Sequence, residues 1–247
     1  MLEPITLVII GLLVTYLAGV IYGMTGFGFP LISVPVLTIF LSPKIIVPVI
    51  TIDNAFIDLV LLFEAKKLVD LKKVGPLMIA GLVGMPLGAF LLMALDVSVI
   101  KLYIGSVITI FAIALLMGFR RIIKNEKLAF APVGFVGGVL GGSTSISGPP
   151  VILFFTNQGV KMEIFRANLI AYFTALDLAT STTFMFGGLI NSTVINYVII
   201  FIPAIILGAI TGVKLKPKVK ENLFRNMALV VVIIAGLLSI ASSLGIL

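Results

Sequence analysis

The chain has 247 residues, 60% of them hydrophobic and 11% charged, with a net charge of +7 and a mean hydropathy of +1.29. A soluble domain carries roughly 25% charged residues, so this composition describes an integral membrane protein. Cysteine and histidine are both absent, which excludes disulfides, Cys/His metal centres, thiol nucleophiles and imidazole bases.

Hydropathy predicts eight apolar segments in chain order: about 5–41, 45–63, 74–95, 98–119, 129–156, 164–186, 194–213 and 224–246. The first begins with Glu3 as the one charged side chain in residues 1–22, the pattern of a retained membrane segment and not of a signal peptide. Several runs reach the roughly 20 residues that a spanning helix needs, and none shows the alternation of a membrane barrel. The expected fold class is therefore an all-α integral membrane protein. The basic excess lies in short loops beside these segments, where it reads as membrane orientation and not as a nucleic-acid surface.

Two segments, the first and the fifth, are broken by Gly and Pro: near 23–30, from Gly23 to Pro30, and near 142–150, from Gly142 to Pro150. Neither residue continues a regular helix without cost. In hydrocarbon, backbone released from a helix must be buried in protein or line a polar cavity. The charged connection 120–127 separates two halves, repeat 1 at about 1–120 and repeat 2 at about 128–247, within one transmembrane domain. At an offset of 119, Gly19, Gly23, Thr25, Pro30 and Asp58 fall on Gly138, Gly142, Thr144, Pro149 and Asp177. With a five-residue shift in one loop, Gly84, Gly88 and Lys101 fall on Gly208, Gly212 and Arg225.

Loop charge inverts between the halves. The 64–73 loop is basic and 95–101 nearly neutral, whereas 187–196 is uncharged and 214–225 basic. Basic short loops face the cytoplasm, so the repeats are expected to have opposite topology and an odd number of crossings each. Each broken segment is then either a pair of half-helices meeting in the membrane or two separate short spans. Pieces 129–142 and 149–157 would reach only about 21 and 13 Å at 1.5 Å per residue, which favours a re-entrant hairpin in the second half. Both termini then face outward, with 120–127 cytoplasmic.

These residues carry a resemblance. The two half-repeats, the broken motifs at 23–35 and 138–152, and the glycine-spaced helices with Gly84/Gly88 and Gly208/Gly212 resemble the TauE/SafE family of membrane transporters over essentially the whole chain. Met24 and Phe27 stand where small residues are typical of that family. The resemblance implies transport of sulfite, organosulfonates or related small anions. Paired breaks in corresponding places of two halves point independently to the midplane site of an inverted-repeat transporter.

Two constellations could carry the chemistry. Ser143, Thr144, Ser145 and Ser147 place four hydroxyls in five residues, followed by Gly148 and two prolines. A helix restarting after the prolines would aim free N–H groups and its positive end at an anion in the break. The alternative is that the hydroxyls only cap broken helices or pack between them. The first break contributes Thr25 and the backbone of Gly23, Gly26 and Gly28. Buried carboxylates form the second constellation: Asp58 and Asp177 in equivalent places, with Asp53 and Asn54 on the same segment as Asp58. Intramembrane carboxylates are expensive and are functional candidates for coupling to H⁺ or Na⁺. The alternative is structural pairing with broken backbone, Arg166 or Lys44. Gly84/Gly88 and Gly208/Gly212 are expected to allow close helix packing.

No phosphate-binding loop of the Gly-x₄-Gly-Lys-Ser/Thr type occurs. The leading reading is a secondary transporter of a small oxyanion, with membrane lipid and a coupling ion as partners, no cofactor, no nucleic acid and no catalytic residues. A passive anion channel and an intramembrane enzyme are the competing readings.

Overall fold

The computed structural model describes residues 4–117, 126–158, 160–215 and 221–244. The connection 120–125, the basic stretch 216–220 and the side chain of Arg225 lie outside what is described. Among the described residues the fold is all-helical. Its helices are α1 (Pro4–Thr25), α2 (Phe29–Phe40), α3 (Pro43–Ala65), α4 (Leu71–Ala94) and α5 (Val97–Leu116), then α6 (Glu126–Thr144), α7 (Gly148–Asn157), α8 (Met162–Phe186), α9 (Ser192–Leu215) and α10 (Glu221–Ser243). Six of them, α1, α3, α4, α5, α8 and α9, are long and apolar enough to cross a membrane.

Local chemistry sets the boundaries. Ser42 caps α3 by accepting from the Lys44 N–H, with Pro43 at the first helical position, and Asp70 caps α4 by accepting from Lys72 N–H. Inside the bundle, buried hydroxyls fold back onto their own helices: Thr15 donates to Gly11 O, Ser33 to Phe29 O and Thr51 to Val47 O, at 2.6–2.8 Å. This satisfies the hydroxyl where water is absent. Each broken segment resolves into two unequal pieces. α1 has 22 residues and α6 has 19, near the length of a full span, while α2 has 12 and α7 has 10. The break therefore follows a nearly complete helix and does not divide one at its middle.

Glycine seams pair the first helix of each half with the fourth of the other. A Cβ on Gly19 or Gly23 of α1 would collide with the backbone of Ile205 or Ala209 on α9, and one on Gly208 or Gly212 with Tyr16 or Val20. The α4–α6 seam repeats this: Gly84 and Gly88 lie on Phe135 and Val139, and Gly138 and Gly142 on Gly81 and Met85. Such missing side chains let backbones approach in a bilayer, where no hydrophobic force drives helices together. Residue numbers rise together along both seams, so these partners run parallel.

The third and fifth helices of the two halves pack on each other and run antiparallel. Asp70 N–H, just beyond the end of α3, donates to Asn168 Oδ1 near the start of α8 (2.8 Å). At the opposite end, Lys44 Nζ donates to Met93 O (2.9 Å), and Gly187 after α8 lies against Met93. In α5 and α10, Lys101 meets Ser242 while Gly105 meets Gly236. Loop 66–70 and loop 187–191 thus occupy opposite ends of α8, the basic one and the uncharged one respectively. Lys67 and Asn191 are exposed in these loops. In this thiol-free chain, Lys67→Cys should react with an impermeant thiol reagent from the cytoplasmic side and Asn191→Cys from the outside. Reaction of both from one side would contradict the arrangement.

Candidate functional site

The two breaks match at one pair of positions 119 apart, 26 and 145, and differ at the next such pair, where Gly28 is left-handed at φ +101° and Ser147 right-handed at φ −79°. At the first, Gly26 N–H donates to Tyr22 O (2.7 Å) and Gly26 takes φ +80°. At the second, Ser145 N–H donates to Gly141 O (2.8 Å) and Ser145 takes φ +62°. One residue before each, a threonine closes the helix. Thr25 Oγ1 accepts from Phe27 N–H (3.3 Å), and Thr144 Oγ1 accepts from Ile146 N–H (3.2 Å). Left-handed backbone is costless for Gly26 but strained for Ser145, the one non-glycine with positive φ among the described residues.

A small cavity lies between the breaks. Gly28 and Phe27 line it from the first break, Ser145, Ile146, Ser147 and Gly148 from the second. Tyr22, Asn54 and Phe173 also line it, with Pro30, Leu31, Pro149 and Ile152, and among the described residues no charged side chain does. The hydroxyls of the second break divide by role. Ser143 donates to Val139 O (2.7 Å) and Thr144 to Leu140 O (2.7 Å), so both hydroxyls are taken up by α6. Ser147 occupies the N-cap of α7 without capping it, and Ser145 Oγ is buried with no hydrogen-bond partner. The capping alternative therefore describes Ser143 and Thr144 but not Ser145 and Ser147. A buried, unpaired hydroxyl on a strained residue is costly, and such outliers gather at ligand sites.

The helix does not restart after the prolines, as the sequence suggested. α7 begins at Gly148, which places Pro149 and Pro150 in its first turn. Two of the four donors that a helix N-terminus normally leaves open are thereby removed, and the N–H groups of Ser147 and Gly148 remain. From the second break the lining residues thus offer two hydroxyls, on Ser145 and Ser147, and the N–H groups of Ser147 and Gly148. Gly23 and Gly142 lie away from it, in the α9 and α4 seams. Thr25, whose hydroxyl also lies 2.8 Å from Ile21 O, closes α1. Gly26 packs against the Arg166 side chain, 2.7 Å from its Nε to a Cβ placed there.

Behind the cavity the two equivalent carboxylates converge. Asn54 Nδ2 donates to Asp58 Oδ2 (2.9 Å) and to Asp177 Oδ2 (2.6 Å), and the Tyr22 hydroxyl donates to Asp58 Oδ1. Asp58 and Asp177 are both buried. Their described partners are an amide and a phenol, whereas Lys44 is engaged at the far end of α3. Asp53 is also buried, but its carboxylate oxygens have no hydrogen-bond partner and it stands outside this network. Tyr22 was not singled out from the sequence. It falls opposite Gly141 in the repeat comparison, and only its hydroxyl, next to the Gly19/Gly23 stripe, distinguishes it.

These features define a multi-pass helical membrane protein with a cavity between two helix breaks, backed by paired carboxylates. The chain belongs to the sulfite exporter TauE/SafE family, which matches residues 11–239. It is similar to the probable sulfite/organosulfonate exporter TauE of Cupriavidus necator, 27% identical over 132 residues, or 51% of this chain and 52% of that protein. The match thus spans about half the length of that curated relative. No solved structure matches the chain.

Proposed function

We propose that this protein is a secondary transporter that moves a small oxyanion, sulfite or an organosulfonate, across the cell membrane. The anion binds in the cavity between the breaks, held by the hydroxyls of Ser145 and Ser147 and the N–H groups of Ser147 and Gly148. The observation that carries this reading is Ser145: strained, buried, unpaired and on the cavity wall. Neutral donors bind an anion without the fixed opposite charge that would hold it too long. The TauE/SafE family and the name of the Cupriavidus relative favour a sulfur oxyanion over other anions.

The two halves act as inverted repeats that rock about the site and expose it alternately to each side. The parallel glycine seams and the antiparallel α3–α8 and α5–α10 pairs support that motion as a movement of preformed units. Energy comes from an ion gradient, with Asp58 and Asp177 as the coupling groups. Counterflow in proteoliposomes tests the reading, with sulfite, sulfoacetate, thiosulfate and a carboxylate of similar size as the panel. Saturable exchange of a sulfur oxyanion is expected. Non-saturating flux of all four would make the protein a channel, and no flux would refute transport of this class.

A further inference from the structure

We propose that the coupling ion is a proton held by the Asp58–Asp177 pair, and that Asn54 and Tyr22 link its binding to that of the anion. The inference rests on the anion reading of the cavity. Asn54 and Tyr22 each belong to two sites at once: both line the cavity, and both donate to Asp58. Asn54 Nδ2 also donates to Asp177, so one amide group stands between two buried carboxyls on different halves of the chain. Two negative charges on one amide repel strongly in a low-dielectric interior, and a single proton on the pair removes that repulsion.

The same geometry disfavours a metal cation. A hard cation needs several oxygen atoms turned toward it. Here three carboxylate oxygens already face N–H or O–H donors, and the amide nitrogen occupies the place where a cation would bridge. Among the described residues no group of three acidic side chains gathers. Asn54 Oδ1 is buried with no partner, and a flip of the amide would let it accept the hydrogen of a protonated carboxyl.

Coupling follows from competition for donors. An anion entering the cavity draws the Tyr22 O–H and Asn54 N–H groups toward itself. The carboxylates lose those donors and face a new negative charge, and a proton replaces what they lost. Anion and proton therefore assist each other, and by linkage the effect is reciprocal.

Other titratable groups facing the pair are few. Asp53 lies on α3 itself, Tyr172 on α8 and Tyr22 on α1, while α2 and α7 carry none. On α5, Lys101 is engaged with Ser242 and Tyr103 with Ser143. The charged residues of α4, α6 and α9 lie in their end turns, Tyr197 is in the second turn of α9, and Lys66 and Lys67 sit in the turn after α3. Near the start of α8 stand Glu163 and Arg166, the latter against Gly26.

The test is binding to the purified full chain between about pH 5 and 8. Ethanesulfonate is the main probe because its own charge is constant there, with sulfite as a second probe. One linked proton predicts affinity that rises as pH falls, by up to about tenfold per pH unit. Exchanging sodium for choline should leave it unchanged. Asp177→Asn and Asp58→Asn, two variants in case one misfolds, should each flatten the profile. A flat wild-type profile, or affinity that follows sodium, would overturn the proton while leaving the anion site standing. No binding of either probe at any pH would overturn the anion reading, and this inference with it.

Discussion

Gly148→Leu will eliminate anion binding while the protein remains folded. Gly148 is the first residue of α7 and lines the cavity. A Cβ there would stand 3.1 Å from Ile152 Cδ1 and 3.1 Å from Phe173 Cζ, both on the cavity wall. The remaining carbons of leucine have only the cavity to enter, where they displace the anion and cover the N–H groups at the start of α7. Overpacking of this kind costs about 1–3 kcal/mol. The binding loss should exceed about a hundred-fold, or ~2.7 kcal/mol. Thermal melting of the purified protein and a binding titration separate the two. Undiminished affinity would place the anion elsewhere and leave the breaks as hinges.

Ser145→Gly is expected to move stability and affinity in opposite directions. The side chain at φ +62° strains the backbone, and glycine adopts that conformation freely. Relief of left-handed strain is worth about 1 kcal/mol or more, partly offset by the entropy that glycine loses on folding. The hydroxyl, meanwhile, is lost. A hydrogen bond to a charged group contributes about 1.5–3 kcal/mol, so the dissociation constant should rise roughly ten- to a hundred-fold. Ser145→Ala makes the complementary case, since it keeps the strain and removes the same hydroxyl. A serine with a purely structural role would show the reverse pattern in Ser145→Gly, with lower stability and unchanged binding.

The positions of the breaks were legible in the sequence because Gly and Pro in an apolar run have few other uses, yet their boundaries were not. α1 passes through Gly23 to Thr25, and α6 passes through Gly142 to Thr144. Those two glycines remain helical and serve the seams with α9 and α4, the role that spacing had already assigned to Gly84/Gly88 and Gly208/Gly212. Local sequence does not distinguish a glycine that ends a helix from one that admits a neighbour. The equivalent positions of Asp58 and Asp177 were visible in the repeat comparison. Their meeting on Asn54 was not, because that contact joins residues 123 apart. The sorting of four adjacent hydroxyls was equally hidden. Two rotate back onto α6 and two do not, and the left-handed turn at residue 145 makes the difference.

In alternating access the cavity between the breaks must hold the anion and open to both sides of the membrane. Ser147→Cys, in a chain with no natural thiol, places a reporter on its wall. The rate of reaction with an impermeant maleimide can then be measured in vesicles from each side in turn, with and without ethanesulfonate. Reaction from either side is expected, with protection by ethanesulfonate that is half-complete at the concentration that half-saturates binding. Reaction from both sides with no protection, in a variant that still binds the anion, would contradict it.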